Sequence, residues 1–252
     1  MESAIYTIHP MYLGEIPTWE KSNHTMWRNW GVKVPVPFIA FLIKGNGKNI
    51  LVDTGPCDKE FAEKWHYPLV IPEDTHIHTV LKNKFGLKPD DIDYIINTHL
   101  HWDHCFNNHL FPGKRIYIQR SEYHYGFDPL PFQYHLYESP QFGLIPNWMK
   151  AAMQYELVDG DMEIDDGIKL ISLPGHSVGL QGILVNTKDG KSLLASDSVN
   201  TYEQWKGDEK LPHFFSATHI SLEVYWKTLM RIEKMESEGV TIIPGHDWAL
   251  LK

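Results

Sequence analysis

The sequence predicts an α/β fold in which two sheets pack together with helices on the outside. Each half of the chain contains several short, apolar, β-prone runs and one segment of helical periodicity. The 252 residues, 42% hydrophobic and 22% charged, can bury a full core and do not have a disordered composition. No internal repeat, low-complexity tract or Gly/Ser-rich linker divides the chain. We therefore expect one domain over residues 1–252.

The first half is predicted to form four strands and one helix. Gly45-Asn46-Gly47 is typical of a hairpin turn between the first two apolar runs, and Gly86 ends the helical pattern. The predicted elements are the strands Phe38–Lys44, Asn49–Asp53, Tyr94–Asn97 and Arg115–Gln119 and the helix Asp74–Phe85.

The second half is predicted to form four more strands and the clearest helix. Ser221 is a suitable N-cap for this helix and Gly239 is its C-terminal stop, while Asp189-Gly190 marks a turn between two strands. The predicted elements are the strands Lys169–Leu173, Gly182–Thr187, Ser192–Ser196 and Val240–Ile243 and the helix Ser221–Glu238.

Charge and hydropathy disfavour several classes of protein. The formal net charge of −9 disfavours nucleic-acid binding, which needs a positive surface. The longest apolar run, Val34–Ile43, contains two prolines and is shorter than the roughly 20 residues of a membrane span. No targeting segment is recognisable at the N-terminus, so we expect a cytoplasmic protein with a small-molecule substrate. Cys57 and Cys105 permit at most one disulfide.

The strongest motif is the run from His99 to His104, which follows the predicted strand Tyr94–Asn97. It reads His-Leu-His-Trp-Asp-His and offers four ligands in six residues, in a chain with 15 His but only 2 Cys. Imidazole and carboxylate together suit Zn²⁺, Fe, Mn or Co. The alternative is a surface loop that happens to be rich in histidine.

Three further segments favour the metal interpretation. Leu173-Pro174-Gly175-His176, Ser196-Asp197 and Ile243-Pro244-Gly245-His246 each place a His or Asp at the end of a predicted strand. Rigid strands fix the loops at their ends, and binding sites are assembled there. Four such segments in one chain are an improbable coincidence.

Together these residues resemble the motifs of the metallo-β-lactamase superfamily. Leu51-Val52-Asp53-Thr54-Gly55 matches that superfamily's first motif, so five motif regions occur in order from Asp53 to His246. The resemblance implies a four-layer αββα sandwich, with two mixed sheets packed face to face and helices outside. It also implies a site along one edge, between the sheets.

The resemblance further implies two metal sites. The first would be formed by His99, His101 and His176, the second by Asp103, His104 and His246, and Asp197 would bridge them. Two ions roughly 3.5–4 Å apart can share a hydroxide formed near neutral pH. Asp53 is implied to lie behind the ligands and to orient their loop. We expect two divalent ions, zinc first, with Fe, Mn or Co as alternatives.

Within the superfamily the sequence is most similar to the N-acyl-homoserine lactonase branch, which implies that a hydroxide opens a lactone or a related cyclic ester. Asp103 is the implied catalytic residue among the ligands. The branch carries a Tyr three residues after the bridging Asp, where this chain has Asn200, and Tyr202 is the nearest substitute. Alternatives are thioester, β-lactam or cyclic amide hydrolysis, and oxidation by a mononuclear-iron persulfide dioxygenase.

A segment rich in aromatic residues and prolines, around residues 120–150, is a candidate lid over the site. It would supply an apolar, partly aromatic pocket; a satellite core or a homodimer contact is the alternative. The same two interpretations apply to Trp19, Trp27 and Trp30. Outside the motifs, the pocket candidates among the histidines are His124, His135 and His213. Cys105 is expected to be a small buried side chain and not a ligand.

Overall fold

The structure, a computed structural model, describes residues 4–252, without the side chains of residues 152 and 153. The strands are β1 (Tyr6–Glu20), β2 (Lys33–Gly45), β3 (Lys48–Val52), β4 (Tyr94–Ile96), β5 (Arg115–Gln119), β6 (Tyr155–Val158), β7 (Met162–Asp165), β8 (Ile168–Ser172), β9 (Gln181–Thr187), β10 (Gly190–Ser196) and β11 (Thr241–Pro244). The helices are α1 (Lys59–Trp65), α2 (Ile77–Phe85), α3 (Trp102–Cys105), α4 (Arg120–Phe127), α5 (Tyr202–Lys206) and α6 (Leu222–Ser237). Short 3₁₀ turns connect them.

The strands form a mixed α/β arrangement, as predicted, but not the two separate sheets that the sequence led us to expect. All eleven strands belong to one hydrogen-bonded, barrel-like sheet in the order β11-β10-β9-β1-β2-β3-β4-β5-β6, with β8 and β7 added beside β9. The two halves meet where Tyr6 of β1 pairs with Thr187 of β9. The reason is the length of β1: its 15 residues run along β2 and still reach β9.

Side chains of β2 show how the core is divided. Phe38, Ala40 and Leu42 point to the cluster that includes α2, whereas Ile39 and Ile43 point to the cluster between the two halves of the sheet. This alternation is the expected consequence of the strand period of two. A third apolar cluster lies beneath α6. Burial on both faces therefore holds the strand ends, and the loops that follow them, in fixed positions.

The sequence analysis missed the strands β1, β6 and β7 and the helices α1, α3, α4 and α5. Within β1, Pro10, Gly14 and Pro17 interrupt the apolar pattern, and the backbone tolerates them through irregular register against β2. The helix predicted from Asp74 begins at Ile77, since a 3₁₀ turn occupies Glu73–Thr75. Among residues 4–252, no helix combines the length and the apolar character that crossing a lipid bilayer would require.

Candidate metal centre

The candidate ligands lie at the ends of strands β4, β8, β10 and β11. Strand β4 runs parallel to β3 and β5, and β10 runs parallel to β11, so each set of loops leaves the same edge of the sheet. The structure brings together all seven side chains named from the motifs, and all except Asp103 are buried. They are His99, His101, Asp103, His104, His176, Asp197 and His246.

Three imidazoles form the first group. His99 Nε2 lies 3.0 Å from His101 Nδ1, and His176 Nε2 lies 3.1 Å from the same atom. The three ring nitrogens converge on one point, and no carboxylate is among them. Such a set leaves an open position on a four-coordinate ion, as a catalytic zinc site requires.

The second group combines a carboxylate with two imidazoles. Helix α3 begins directly after His101 and turns Asp103 and His104 toward the cluster. Asp103 Oδ2 lies 3.5 Å from His104 Nε2 and 4.0 Å from His246 Nε2. This donor set of nitrogen and oxygen atoms also suits a divalent ion.

Asp197 lies between the two groups. Its Oδ2 is 3.3 Å from His176 Nε2, while its Oδ1 is 3.0 Å from His246 Nε2 and 3.3 Å from His104 Nε2. The two oxygens of one carboxylate therefore face different groups.

Burial determines the protonation of the first group. Burial, followed by the neighbouring rings of His104 and His101, holds the pKa of His99 well below its ordinary value. Burial and the ring of His176 do the same for the pKa of His101. Both imidazoles are therefore neutral, which is the form that binds a metal ion.

Carboxylates dominate the second group. Burial alone would lower the pKa of His104, but the charges of Asp103, Asp197 and Asp53 raise that pKa well above its ordinary value. Burial would likewise raise the pKa of Asp197, but His246 and His104 hold that pKa well below its ordinary value. The buried cluster thus holds a protonated His104 imidazole beside an ionised Asp197. A metal ion would take the place of the imidazole proton.

An orphaned nitrogen provides a test of whether the residues fit a metal. The buried Nε2 of His104 has no hydrogen-bond partner among the described residues, although two carboxylates lie 3.3–3.5 Å away. A buried polar atom without a partner costs about 1–3 kcal/mol. A cation between His104, Asp103 and Asp197 would satisfy it, so the residues fit a divalent metal.

Contacts behind the ligands determine which nitrogen points inward. Asp53, in a left-handed conformation with φ +60°, accepts hydrogen bonds from His104 Nδ1 at 2.8 Å and from Thr98 N at 2.8 Å. His246 Nδ1 lies 2.8 Å from the carbonyl oxygen of Pro37. Both contacts direct the opposite nitrogen, Nε2, toward the cluster.

Glu122, on α4, is a buried positioning residue that the sequence analysis missed. Its carboxylate accepts hydrogen bonds from Leu100 N (3.1 Å), Gly179 N (2.8 Å), Ser177 Oγ (2.7 Å) and the hydroxyl of Tyr137 (2.7 Å). It therefore joins the loop after β4 to the loop after β8. Nothing in the local sequence marks this role, because all four donors are distant along the chain.

A pocket opens over the cluster, and its apolar walls are formed by Ile16, Trp19, Val36, Phe38, Trp102 and Leu136. Asn200 also lines it, but the Nδ2 group of Asn200 already donates to Asp197 O (3.2 Å) and Gln204 Oε1 (3.1 Å). Tyr202 does not line this pocket; it lies in a separate groove beside Trp205. The structure thus brings Asn200, but not Tyr202, to the cluster.

Other expectations for the pocket differ from what the structure shows. His124 and His135 do not line it, and His213 lies in the groove with Tyr202. The additional histidine at the pocket is His24, which the sequence analysis did not single out. Trp27 and Trp30 are 62% and 71% exposed.

The aromatic segment packs mainly within the protein. Tyr137 and Trp148 are fully buried and form a cluster with Leu100 and Cys105. From residues 120–150 only Leu136 reaches the pocket, held by a 2.9 Å hydrogen bond from Trp102 N to its carbonyl oxygen. This segment therefore braces the ligand loop more than it lines the pocket.

A sequence profile of the Metallo-beta-lactamase superfamily matches residues 40–246, which include every candidate ligand. The chain belongs to the metallo-beta-lactamase superfamily. This superfamily member is 33% identical over 224 residues to an N-acyl homoserine lactonase of Bacillus cereus, covering 84% of this chain and 82% of the relative. It is 27% identical over 265 residues to the lactonase AttM of Rhizobium radiobacter, covering 96% and 95%.

Solved structures agree with these relatives. A variant of the lactonase AiiA from B. thuringiensis, with N-decanoyl-L-homoserine bound at its active site, is 25% identical with a TM-score of 0.78, covering 98% of this chain and 95% of that one. The dizinc lactonase AidC, at 16% identity and a TM-score of 0.73, covers 98% of this chain and 91% of its own and shares the fold. The predicted superfamily and its lactonase branch are confirmed, and this member is a metal-dependent hydrolase of lactonase-like fold.

Proposed function

We propose that the protein is a dinuclear hydrolase that opens a lactone, such as an N-acyl-homoserine lactone or a related cyclic ester. His99, His101 and His176 would hold one divalent ion and Asp103, His104 and His246 the other, with Asp197 between them. Zinc is the metal that this nitrogen and oxygen donor set suits first. When bound, the ions would supply an activated water at neutral pH and polarise the ester carbonyl.

One observation carries the proposal. The two oxygens of Asp197 face different histidines, with Oδ2 3.3 Å from His176 and Oδ1 3.0 Å from His246. A carboxylate that served a single ion would not need an imidazole beside each of its oxygens. The arrangement supports a pair of ions.

The remaining groups handle the proton and the substrate. Asp103 is the most exposed carboxylate of the cluster, with its side chain 18% accessible against 8% for Asp197, and it lines the pocket. We assign it the transfer of a proton to the leaving alkoxide. The amide Nδ2 group of Asn200 already donates both its hydrogen bonds to protein atoms, so we assign this residue to the wall of the pocket. Tyr202 receives no catalytic role.

The pocket walls favour an uncharged, partly apolar substrate. Trp19, Phe38, Trp102 and Leu136 line the space, and no lysine or arginine is among the lining residues. Apolar walls around a few polar groups are typical of sites for small organic ligands. An acyl-substituted lactone has this character.

The test is lactone turnover by purified protein loaded with two equivalents of Zn²⁺ per chain. We expect wild-type protein to open N-hexanoyl-homoserine lactone, and Asp103→Ala and His246→Ala to lower kcat/KM by about 10²- to 10³-fold, the scale of losing one group that stabilises the transition state. His78→Ala, an exposed histidine outside the pocket, is the control and should keep full activity. Undiminished turnover after the metal is removed, or no turnover of any lactone by the zinc-loaded protein, would overturn the proposal.

A further inference from the structure

A second cavity, of about 180 Å³, adjoins the pocket over the metal cluster. The two spaces share three lining residues, His24, Val36 and His246. Because His246 is a candidate ligand, a substrate reacting at the cluster lies at the mouth of this cavity. The cavity is thus placed to receive the part of a substrate that extends away from the reacting ester.

Part of the wall of the second cavity is apolar. Val34, Pro35, Val36 and Trp248 supply this apolar lining, beside the polar residues Thr25 and Thr201. The indole nitrogen of Trp248 donates to Pro35 O at 3.1 Å, so the protein already uses this polar atom. Such walls suit an alkyl or aryl substituent.

Charged groups at the cavity are also satisfied within the protein. Lys21 Nζ lies 2.8 Å from Glu203 Oε2, and Asp247 Oδ2 accepts a hydrogen bond from Tyr202 N at 2.8 Å. Neither an anionic nor a cationic substituent therefore finds a free partner there. The cavity favours an uncharged group.

His24 lines both spaces, and unlike the charged groups of the cavity it has no hydrogen-bond partner for its side chain among the described residues. The residue is only 8% exposed, and its ring nitrogens remain accessible. The ring is fixed by packing, with its centroid 6.4 Å from that of His246 in a stacked arrangement and 6.1 Å from that of Trp19.

An imidazole ring can donate and accept hydrogen bonds at its nitrogens, and His24 lines both spaces without a hydrogen-bond partner among the described residues. We propose that His24 is a specificity-determining residue that hydrogen-bonds an amide or carbonyl group in the substituent of the substrate, where this substituent passes from the metal pocket into the second cavity. This proposal rests on the lactonase function proposed above. It also gives a site for substrate hydrogen bonding in a chain that has Asn200 in place of the lactonase Tyr.

The test compares two lactones that differ in this substituent. N-hexanoyl-homoserine lactone carries an amide beside the ring, whereas γ-decalactone carries an alkyl chain alone. In His24→Phe, which keeps a ring but cannot hydrogen-bond, we expect kcat/KM for the amide substrate to fall about 10-fold, through KM, with a change below about twofold for γ-decalactone; a factor of ten corresponds to about 1.4 kcal/mol. His24→Gln retains a donor and an acceptor and should restore most of the selectivity.

Matched measurements separate this role from a structural one. Zinc content per chain and the unfolding midpoint are measured for every variant, and His78→Phe is the control on an exposed histidine. If His24→Phe does not fold, His24→Ala is tested with and without added imidazole, which should partly restore turnover of the amide substrate.

Failure of the proposed function and failure of the role of His24 give different results. Wild-type protein that opens neither lactone overturns the proposed function and this inference with it. Wild-type protein that opens lactones but shows the same selectivity in His24→Phe or His24→Ala, at full zinc content, overturns the role of His24 alone. So does wild-type protein that opens γ-decalactone but not the amide substrate.

Discussion

Individual residues of the metal centre depend on groups behind them for their orientation. His101 points Nδ1 into the cluster, whereas His99 and His176 point Nε2 there. For His104 the choice is made by Asp53, whose carboxylate accepts a hydrogen bond from Nδ1–H at 2.8 Å and so leaves Nε2 to face the cluster. Asp53 therefore sets the orientation of the ligand His104 without itself being a candidate ligand.

Replacing Asp53 by Asn tests this control. Asn tolerates the left-handed backbone at φ +60°, so the fold should persist, but a neutral amide favours the Nδ1–H form of His104 less strongly. We expect the affinity for zinc at the second group to fall about 10- to 100-fold, measured by competition with a chelator. Asp189→Asn, in an exposed turn, is the control, and equal zinc affinity in Asp53→Asn and wild type would contradict the prediction.

At this scale, sequence predicts the ligands better than the groups around them. The run from His99 to His104 is contiguous, so its donors can be recognised without knowing the fold. Glu122 and His24 gain their roles from partners distant in sequence. Glu122 meets Gly179 across 57 positions, and the ring of His24 lies near that of His246, which is far along the sequence. No local pattern records such contacts.

Among the elements, α6 does more than cover the sheet. Gly175, with φ +139°, lies so close to α6 that an added Cβ would be 2.8 Å from Tyr225 N. The hydroxyl of Tyr225 donates toward Asp197 O, 3.0 Å away.

The predicted boundaries of helix α6 are correct to within a residue, because its Ser221 cap and its apolar face are local signals. Strand β1 was missed because its pairing with β2 and β9 is not local.

The link between α6 and β8 gives a pH dependence. Burial would raise the pKa of Asp161, but hydrogen bonds from Arg231 and from Ser172 N lower it below its ordinary value. A carboxylate with a lowered pKa in the folded state contributes stability that is present above its unfolded pKa and is lost as pH falls through the folded pKa. Asp161→Asn should therefore cost about 0.5 kcal/mol near neutral pH and almost nothing near pH 2.

Urea unfolding of metal-free wild type and Asp161→Asn at several pH values measures this difference without a contribution from metal loss. Asp189→Asn serves again as the exposed control. A difference between Asp161→Asn and wild type that stays constant down to pH 2 would show that the carboxylate charge is not its source.

At the scale of the whole molecule, the cluster joins the two halves of the sheet. His99, His101, Asp103 and His104 follow β4 in one half, and His176, Asp197 and His246 follow β8, β10 and β11 in the other. In the described residues 4–252, the strands β1 and β9 connect the two halves of the sheet. Their only paired residues in this range are Tyr6 and Thr187. The sequence could place each ligand at a strand end, but the continuous sheet depends on how far β1 reaches.

Removing the metals should therefore weaken the cohesion of the two halves. A ligand that binds only the folded state stabilises it by about 4 kcal/mol at 1,000 times its dissociation constant, which for a chain of this size raises Tm by about 10 °C. We expect calorimetry of zinc-loaded wild type to show a drop of this order after treatment with a chelator. In His246→Ala, which lacks one ligand of the second group, the chelator should lower Tm by less, because less binding energy is lost. An unchanged Tm in wild type, with zinc shown to have been removed, would mean that strand pairing and apolar packing alone hold the halves together.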